Sequence, residues 1–492
     1  MPDSASEGAL PLRPRPGRCA TGSVLIIVLW ISFGLVSLTL YFAGTMNFEL
    51  RSADHRVASL EAAQAIAGTA RYVSNILMNV DEPGMVPEVI TYEPEALPVG
   101  EATVWFIGRD PQQSRPDEPY FGLVDEASKL NLNTATVAML ELLPGMTPQL
   151  AAAIVDWRDA DSDVTPNGAE DETYQRLNPS YRCKNAPFES VEELRMVYGA
   201  ELALLIGEDT NLNGALDPNE RDGTRTMPDD NQDGVLDAGL FEYLTVYTRE
   251  PNTAPDGSTR VNLAGTNTTE LVTLLQDFLG TDRANQVLAQ LGAGPGSGGG
   301  GPGGGGPGGG AGGTTLTNTF SSVLEFYIRS GLTADEFEMI EGYLTASTNS
   351  VVEGLVNVNT ASEAVLACIP GIGPENAPAL VAARQNQLRS TSVGWVKDVL
   401  DEAAAIQAGP YLTGRSYQFT ADLAAVGRHG RGYQRVRYVF DTSEGTPRVA
   451  ARQDLTHLGW ALGREVREVI WAARQAGVPA FGSVGMGPAR WR

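Results

Sequence analysis

Between Ser23 and Phe48 the chain carries no charged residue: SVLIIVLWISFGLVSLTLYFAGTMNF. A helix crosses a bilayer with about 20 consecutive apolar residues, so this run is long enough to span one and too long for the core of a cleaved signal peptide. No proline interrupts the sequence from Ser23 to Val80. Beyond the apolar run, Leu60, Ala63, Ile66, Ala67, Ala70 and Val73 recur at helical spacing. One long helix is therefore expected, embedded in lipid at its start and amphipathic at its end. Arg13, Arg15 and Arg18 precede the run and Glu49 follows it. That asymmetry favours an N-in orientation, with nearly all of the chain on the far side of the membrane.

The remainder is large and acidic. At about 100–200 residues per domain, 492 residues allow two to four compact units. With 35 Lys+Arg against 60 Asp+Glu the formal charge is −25, a surface that repels nucleic acid phosphates. Cys19, Cys183 and Cys368 cannot make a disulfide scaffold, and no CxxC pair suggests zinc. In an oxidising compartment Cys183 and Cys368 could form one disulfide or remain two buried thiols. His55, His429 and His457 are scattered, which leaves little material for a catalytic triad. No GxSxG, HExxH, P-loop or paired-carboxylate pattern stands out, so no enzymatic activity is expected.

The chain repeats itself. KLNLNTATVAMLELLPGMTPQLAAAIVDWRD (Lys129–Asp159) recurs as LVNVNTASEAVLACIPGIGPENAPALVAARQ (Leu355–Gln385) at one constant offset. Asn131/Asn357, Asn133/Asn359, Thr134/Thr360, Pro144/Pro370, Gly145/Gly371 and Arg158/Arg384 all match. A weaker copy lies at Val261–Leu291. Repeats that share apolar and turn positions imply one supersecondary unit used more than once. NxNTA offers an Asn or Thr cap, Pro-Gly breaks the chain, and a second Ala-rich helix starts near the next proline: a helix-hairpin-helix. Modules of this kind that bind DNA present glycine-rich turn amides to phosphate. Here Gly371 and Gly373 are kept, whereas Thr147 replaces the second glycine of the first copy. Asp125, Glu126, Glu141, Asp156, Asp159 and Asp161 surround that copy, opposed by Lys129 and Arg158. A packing role outweighs DNA binding.

Two acidic loops have cation-binding spacing. In DTNLNGALDPNE the positions are Asp209, Asn211, Asn213, Gly214, Asp217 and Glu220, with the Ala215 carbonyl at position seven. A calcium ion takes six to eight hard oxygens, and this spacing wraps them round one ion. The second loop offers Asp229, Asn231, Asp233, the Val235 carbonyl and Asp237, but Leu240 stands at its twelfth position. It is the weaker site unless it borrows a ligand from elsewhere. Pro218 and Pro228 disrupt flanking helices, so structural calcium is expected rather than a sensor that opens.

A short basic leader ending in Gly22, followed at once by the hydrophobic helix and an Ala-rich amphipathic continuation, resembles the segment that prepilin peptidase cleaves in type IV pilin-like proteins. The cut would fall between Gly22 and Ser23. The fifth mature position is then Ile27 where most such proteins carry Glu. With LNLNTAT, AAAIVDWRDAD and KNAPFESVEELRMV (Lys184–Val197), the sequence resembles the minor pseudopilin K family of type II secretion systems. Ser190 and Glu193 in the last phrase also fit a capping box.

The resemblance implies an α+β fold: a pilin-like long transmembrane helix with an antiparallel sheet, and a large inserted all-α domain containing helix-hairpin-helix repeats. The expected organisation is a leader at 1–22, the helix at 23–80 and the first part of the pilin-like domain at 84–128. The inserted domain follows at 129–291, with its calcium loops at 209–240. Then come a Gly-rich linker at 292–313, a second helical segment at 314–410, the C-terminal strands at 411–476 and a tail at 477–492. The resemblance further implies a non-catalytic subunit capping the pseudopilus tip. It would sit in the inner membrane by a single pass, with its bulk in the periplasm, beside other minor pseudopilins and in reach of secreted substrates. The alternative is a membrane-anchored helix-hairpin-helix DNA receptor of the competence type.

Overall fold

A computed structural model describes residues 21–110, 115–265, 269–292, 319–384, 390–476 and 481, with side chains from Val24 onward. Most of the leader, the Gly-rich linker and the tail lie outside the described residues. Met1–Val57 and Ala58–Arg492 are separate compact units. The first helix, α1, spans Thr21–Met78. Its part in the first unit is long and apolar enough to cross a membrane. Val24, Leu29, Trp30, Phe33, Leu40 and Phe48 are all exposed there, as lipid-facing side chains are.

The second unit is built round a six-stranded antiparallel sheet. Its strands are β1 (Leu97–Val99), β2 (Ala102–Ile107), β3 (Val124–Asp125), β4 (Gln418–Gly427), β5 (Arg431–Asp441) and β6 (Arg448–Asp454). The order is β1-β2-β4-β5-β6, with β3 also pairing with β4. Side chains alternate across a strand, and here they divide cleanly. Val104 and Phe106 of β2 join Phe419, Ala421, Leu423 and Ala425 of β4 against α1. Trp105, Ile107, Ala424 and Val426 face the other way, onto Leu462 and Ile470. Every residue of β4 is buried, which marks it as the central strand covered on both faces.

The face that α1 lays on the sheet differs from the expected one. Ala58, Ala62, Ala65, Ile66, Thr69, Val73 and Leu77 are buried, whereas Leu60 is 64% exposed and Ala63 and Ala67 also point outward. Small residues win because the sheet comes very close. A Cβ added at Gly427 or at Gly432 would overlap the backbone of Ala58. A leucine in that row would hold the strands away.

Between β3 and β4 the chain leaves the sheet and builds the helical insertion, whose residues from Leu130 to Leu412 share one hydrophobic core. Three similar modules make it up. Each is closed by two two-residue strands in parallel: Leu130–Asn131 with Leu244–Thr245, Val261–Asn262 with Leu344–Thr345, and Val356–Asn357 with Leu412–Thr413. Each holds a helical hairpin, at Val137–Leu140 and Pro148–Arg158, at Thr269–Leu279 and Thr281–Gln290, and at Glu363–Ala367 and Gly373–Ala383. The weak copy at Val261–Leu291 is thus a full structural module. Its closing strand reveals a signature not legible beforehand: Tyr243-Leu244-Thr245, Tyr343-Leu344-Thr345 and Tyr411-Leu412-Thr413. In all three, the Thr carbonyl accepts the amide two residues after the first strand begins: Leu132, Leu263 and Val358, at 2.8, 2.8 and 3.0 Å.

The repeated polar residues close the hairpin rather than cap its helices. The caps are Thr136 and Ser362, downstream of NxNTA. Asn131 and Asn357 instead accept the amides of Asn133 and Asn359 at 2.8 and 2.9 Å, which fixes the turn after the strand. Arg158 and Arg384 reach back to carbonyls of Leu132, Ala135 and Ala361, tying the second helix to the start of the module. Thr147, where a glycine was expected, caps the Pro148–Arg158 helix through the Leu150 amide at 3.1 Å. The Ser190–Glu193 capping box forms.

Candidate functional site

The acidic segment is an excursion from a split helix. Leu202–Ile206 and Leu240–Tyr243 are both short helices that contribute Leu205 and Leu240 to the core. Gly207 and Gly239 form the neck between them. Gly207 bridges to Ala238, the Glu208 amide donates to Asp237 O at 2.9 Å, and a Cβ on Gly239 would overlap the Gly207 amide. Gly207 has φ +60°, in the left-handed region where glycine is favoured. Everything from Glu208 to Ala238 leaves and returns through this pinch.

The first loop is buried. Asp209, Asn211, Asn213, Ala215 and Glu220 are each at most 6% exposed. Asp209 accepts the amides of Asn213 and Gly214 at 2.9 and 2.8 Å, with Gly214 at φ +73° making the sharp turn. Glu220 folds back to accept the Thr210 and Asp217 amides at 2.9 and 3.0 Å. Asn211 and Asn213 donate to Asp217 Oδ2 at 2.7 and 3.1 Å. Burial, reinforced by Asp209 and Asp217, pushes the Glu220 carboxyl up to about 7. Burial also raises Asp209. Asn211 Oδ1 is buried without a hydrogen-bond partner.

Crowded carboxylates and an orphaned amide oxygen are what a hard divalent cation would relieve, so the donor set fits calcium. Among the described residues no three Asp, Glu, His or Cys side chains converge as a ready metal cluster.

The second loop is different. Asp229, Asn231, Asp233, Val235 and Asp237 are exposed. Turn hydrogen bonds shape it, from the Asp233 amide to Asn231 Oδ1 and from the Val235 amide to Asp233 Oδ1, at 2.8 and 2.7 Å. Its missing twelfth-position acid has a counterpart that the spacing argument did not identify. Glu208, buried at the neck, accepts the amides of Asn231 and Asp237 at 3.2 and 3.0 Å. Glu208 lies before the first loop, so no scan running forward from Asp229 could reach it.

Loop one is also a strut onto the sheet. Arg435 of β5 and Arg109, just past β2, hold the Leu212 carbonyl at 2.8 and 3.3 Å, and Arg435 also binds Asn211 O. Asn211 and Asn213 donate to the Trp460 and Ala461 carbonyls, and the Leu216 amide donates to Pro116 O at 2.7 Å. Arg435 is fully buried against Asp422 at 2.7 Å. Arg435 and Arg437 hold the Asp422 carboxyl down to about 2 against the cost of its burial.

Of the other expected residues, Gly22 and Ser23 lie in the first turn of α1. Cys183 and Cys368 are free, buried and unpaired with each other. Their thiols donate to Asp156 O at 3.5 Å and to Ala364 O at 3.1 Å. Burial pushes them up to about 11 and about 12, so both stay protonated and inert at neutral pH.

The hairpin turn at Pro370–Gly373 is spent on packing. Gly371, at φ +87°, abuts the Glu402–Ala408 helix so closely that a Cβ would overlap Ala404 O. Gly371 is thus committed to packing, and a chain of formal charge −25 offers little to a phosphate backbone. Gly371→Ala is expected to destabilise the protein by about 2 kcal/mol, from backbone strain plus the clash. A lowered urea midpoint would show it, and an unchanged midpoint would refute the packing role.

Residues 117–205 match the family described as type II secretion system (T2SS), protein K. The type II secretion system protein K of Klebsiella pneumoniae is 46% identical over 56 residues, 11% of this chain and 17% of that protein. That of Pectobacterium carotovorum subsp. carotovorum is 43% identical over 53 residues, 11% and 16% of the two chains. The chain thus spans about a sixth of the length of the curated relatives it matches. Among solved structures, a chain of the GspK-GspI-GspJ complex from the enterotoxigenic Escherichia coli type 2 secretion system has a TM-score of 0.37 and 12% identity. That alignment covers 82% of this chain and 98% of the other.

Proposed function

We propose, on the match at residues 117–205, that the chain belongs to the protein K family of type II secretion systems and is a minor pseudopilin at the tip of the pseudopilus. The observation that carries the proposal is the coexistence of the matching segment at 117–205 with an N-terminal helix whose opening stretch is uncharged and lipid-compatible. The role is structural and non-catalytic. α1 anchors the precursor by a single pass in the inner membrane, with the bulk of the chain in the periplasm, and packs with the helices of other minor pseudopilins on assembly. The helical insertion stands above the sheet's end of the chain and meets secreted substrates. With Ile27 at the fifth mature position, no carboxylate there needs a neighbouring N-terminal amine, which suits a terminal subunit.

Calcium is the structural cofactor in this reading. Asp209, Asn211, Asn213, Ala215, Asp217 and Glu220 would hold one ion. Asp229, Asn231, Asp233, Val235 and Asp237 would hold a second, with Glu208 supporting the loop from behind. The burial of Glu220 and the orphaned Asn211 Oδ1 support the first site over the second.

N-terminal sequencing tests the assignment. In cells with active prepilin peptidase the mature chain is expected to begin at Ser23, and without peptidase it should retain the leader. A chain that keeps Met1–Gly22 in both would sink the proposal.

A further inference from the structure

The six-stranded sheet has two ends. The helical insertion leaves β3 and returns to β4 at one of them. The hairpin that joins Gly427 of β4 to Arg431 of β5 lies at the other. There α1 lies against the sheet backbone, since a Cβ on Gly427 or Gly432 would overlap Ala58. Ala58 comes ten residues after Phe48, the last of the uncharged run. Ten residues reach at most about 35 Å. The hairpin end is therefore the end tethered to the membrane, however residues 49–57 are arranged.

The helix Gly463–Ala476 packs on this hairpin. Ile470 is buried against it, where a Cβ on Gly430 would overlap Ile470 Cγ2. Arg474 donates through Nε to His429 O at 3.0 Å and through Nη2 to Gly430 O. Arg467, Trp471 and Arg474 follow at spacings of four and three, so they share one stripe of the helix. All three are exposed, and Trp471 leaves 63% of its surface uncovered. An indole, with a large apolar body and one N–H, suits the lipid headgroup layer. The charge points the same way. Of the acids nearby, Glu61 is paired with Arg428, Glu468 with Arg464, and Glu465 lies near Arg115. Arg474 spends its bonds on uncharged carbonyls, and Arg467 lies over the Trp460 ring, 5.5 Å from its centroid. Both keep a net positive charge, in a chain whose formal charge is −25. Guanidinium forks match phosphate oxygens.

We propose that Arg467, Trp471 and Arg474 form a foot that rests on anionic phospholipid while α1 spans the bilayer, with the indole at headgroup level and the guanidinium groups on lipid phosphates. The inference rests on α1 lying in lipid. The tether brings this end of the sheet to a bilayer, and the charge selects an acidic one. Each arginine near such a surface favours the lipid-bound state roughly fivefold.

The test is nitroxide labelling of the full chain, with Cys19→Ser, in nanodiscs of phosphatidylcholine alone or mixed with phosphatidylglycerol. Cys183 and Cys368 are buried and stay unlabelled. Single labels are placed through Gln475→Cys, exposed and four residues past Trp471, through Glu444→Cys in the turn at the opposite end of the sheet, and through Leu35→Cys in the apolar run. Collision with oxygen, which concentrates in lipid, is compared with collision with a water-soluble nickel chelate. In the mixed lipid the label at 475 should read as interfacial and the one at 444 as aqueous. Arg467→Gln should cut the bound-to-free ratio at 475 roughly fivefold. Trp471→Ser should release that label to water. Both side chains are exposed, so circular dichroism should be unchanged. A deep label at 35 with an aqueous one at 475 overturns the foot and leaves the membrane anchor standing. An aqueous label at 35 sinks the anchor and the foot with it. Unchanged depth at 475 in Trp471→Ser also overturns the proposal, as does spin–spin broadening there without oxygen contact, which would assign the stripe to a second copy of the chain.

Discussion

Adding calcium is expected to flatten the pH dependence of stability. Without metal, Glu220 titrates at about 7 in the folded protein, well above an unfolded glutamate. A raised folded value means the native state holds its proton more tightly. That contribution is complete below the unfolded value and is lost as pH rises through 7. At about 1.4 kcal/mol per pH unit between the two values, Glu220 alone accounts for about 3 kcal/mol. Asp125, raised to about 6 by burial, and Glu341, raised to about 7, act in the same direction. In EDTA the melting temperature should therefore fall between pH 5 and pH 8.

Calcium needs the ionised form of Glu220 and stabilises whatever it binds, by about 4 kcal/mol at a thousandfold excess over its dissociation constant. In millimolar calcium the melting temperature should fall much less steeply over that interval, because the ion offsets the Glu220 share while those of Asp125 and Glu341 remain. Glu220→Gln should remove the first loop's share of the calcium response and flatten part of the EDTA curve, leaving the share due to Asp125 and Glu341. Superimposable melting curves with calcium and EDTA at pH 8 would refute the metal assignment.

The second large effect concerns the strut. Arg435→Met should cost about 3–5 kcal/mol, because it strands the Asp422 carboxylate in the interior with Arg437 alone beside it. It also releases the Asn211 carbonyl and leaves the Leu212 carbonyl to Arg109 alone. Two readouts separate these losses. Adding Asp422→Leu removes the stranded charge and should restore most of the urea midpoint, since a buried pair exchanged for apolar residues is often close to neutral. It should not restore protection of residues 208–238 against protease, because the Asn211 carbonyl still lacks a donor. If the double variant were as protected as the unaltered chain, Arg435 would have no part in seating the loop.

What could be read beforehand was what local pattern encodes. The apolar run gave the start of α1, and the family resemblance placed the regions of β2 and β4–β6. A fixed offset gave two hairpins, and Ser190 with Glu193 gave a cap. Features that depend on distant approach were hidden. Which stripe of α1 faces the sheet is decided by Gly427 and Gly432, far along the chain. The Tyr-Leu-Thr strands are two residues long, too short to show a period, and become recognisable only when seen paired with Asn131, Asn262 and Asn357. Glu208 was invisible because a loop motif assumes its ligands follow in order. The pairing left open for Cys183 and Cys368 does not occur, because each thiol sits within its own module's packing.

The two-glycine pinch at Gly207 and Gly239 has a consequence for how this lineage could change. Because the departing and returning strands of chain touch there, the helices on either side exert no demand on how much sequence lies between. The entropic toll of a longer loop grows only slowly with its length. Residues could be gained, dropped or exchanged beyond the pinch, and Leu205 and Leu240 would keep their places. On the helical side the excursion is a cassette, whereas on the sheet side Arg435 and Arg109 hold it to its present backbone.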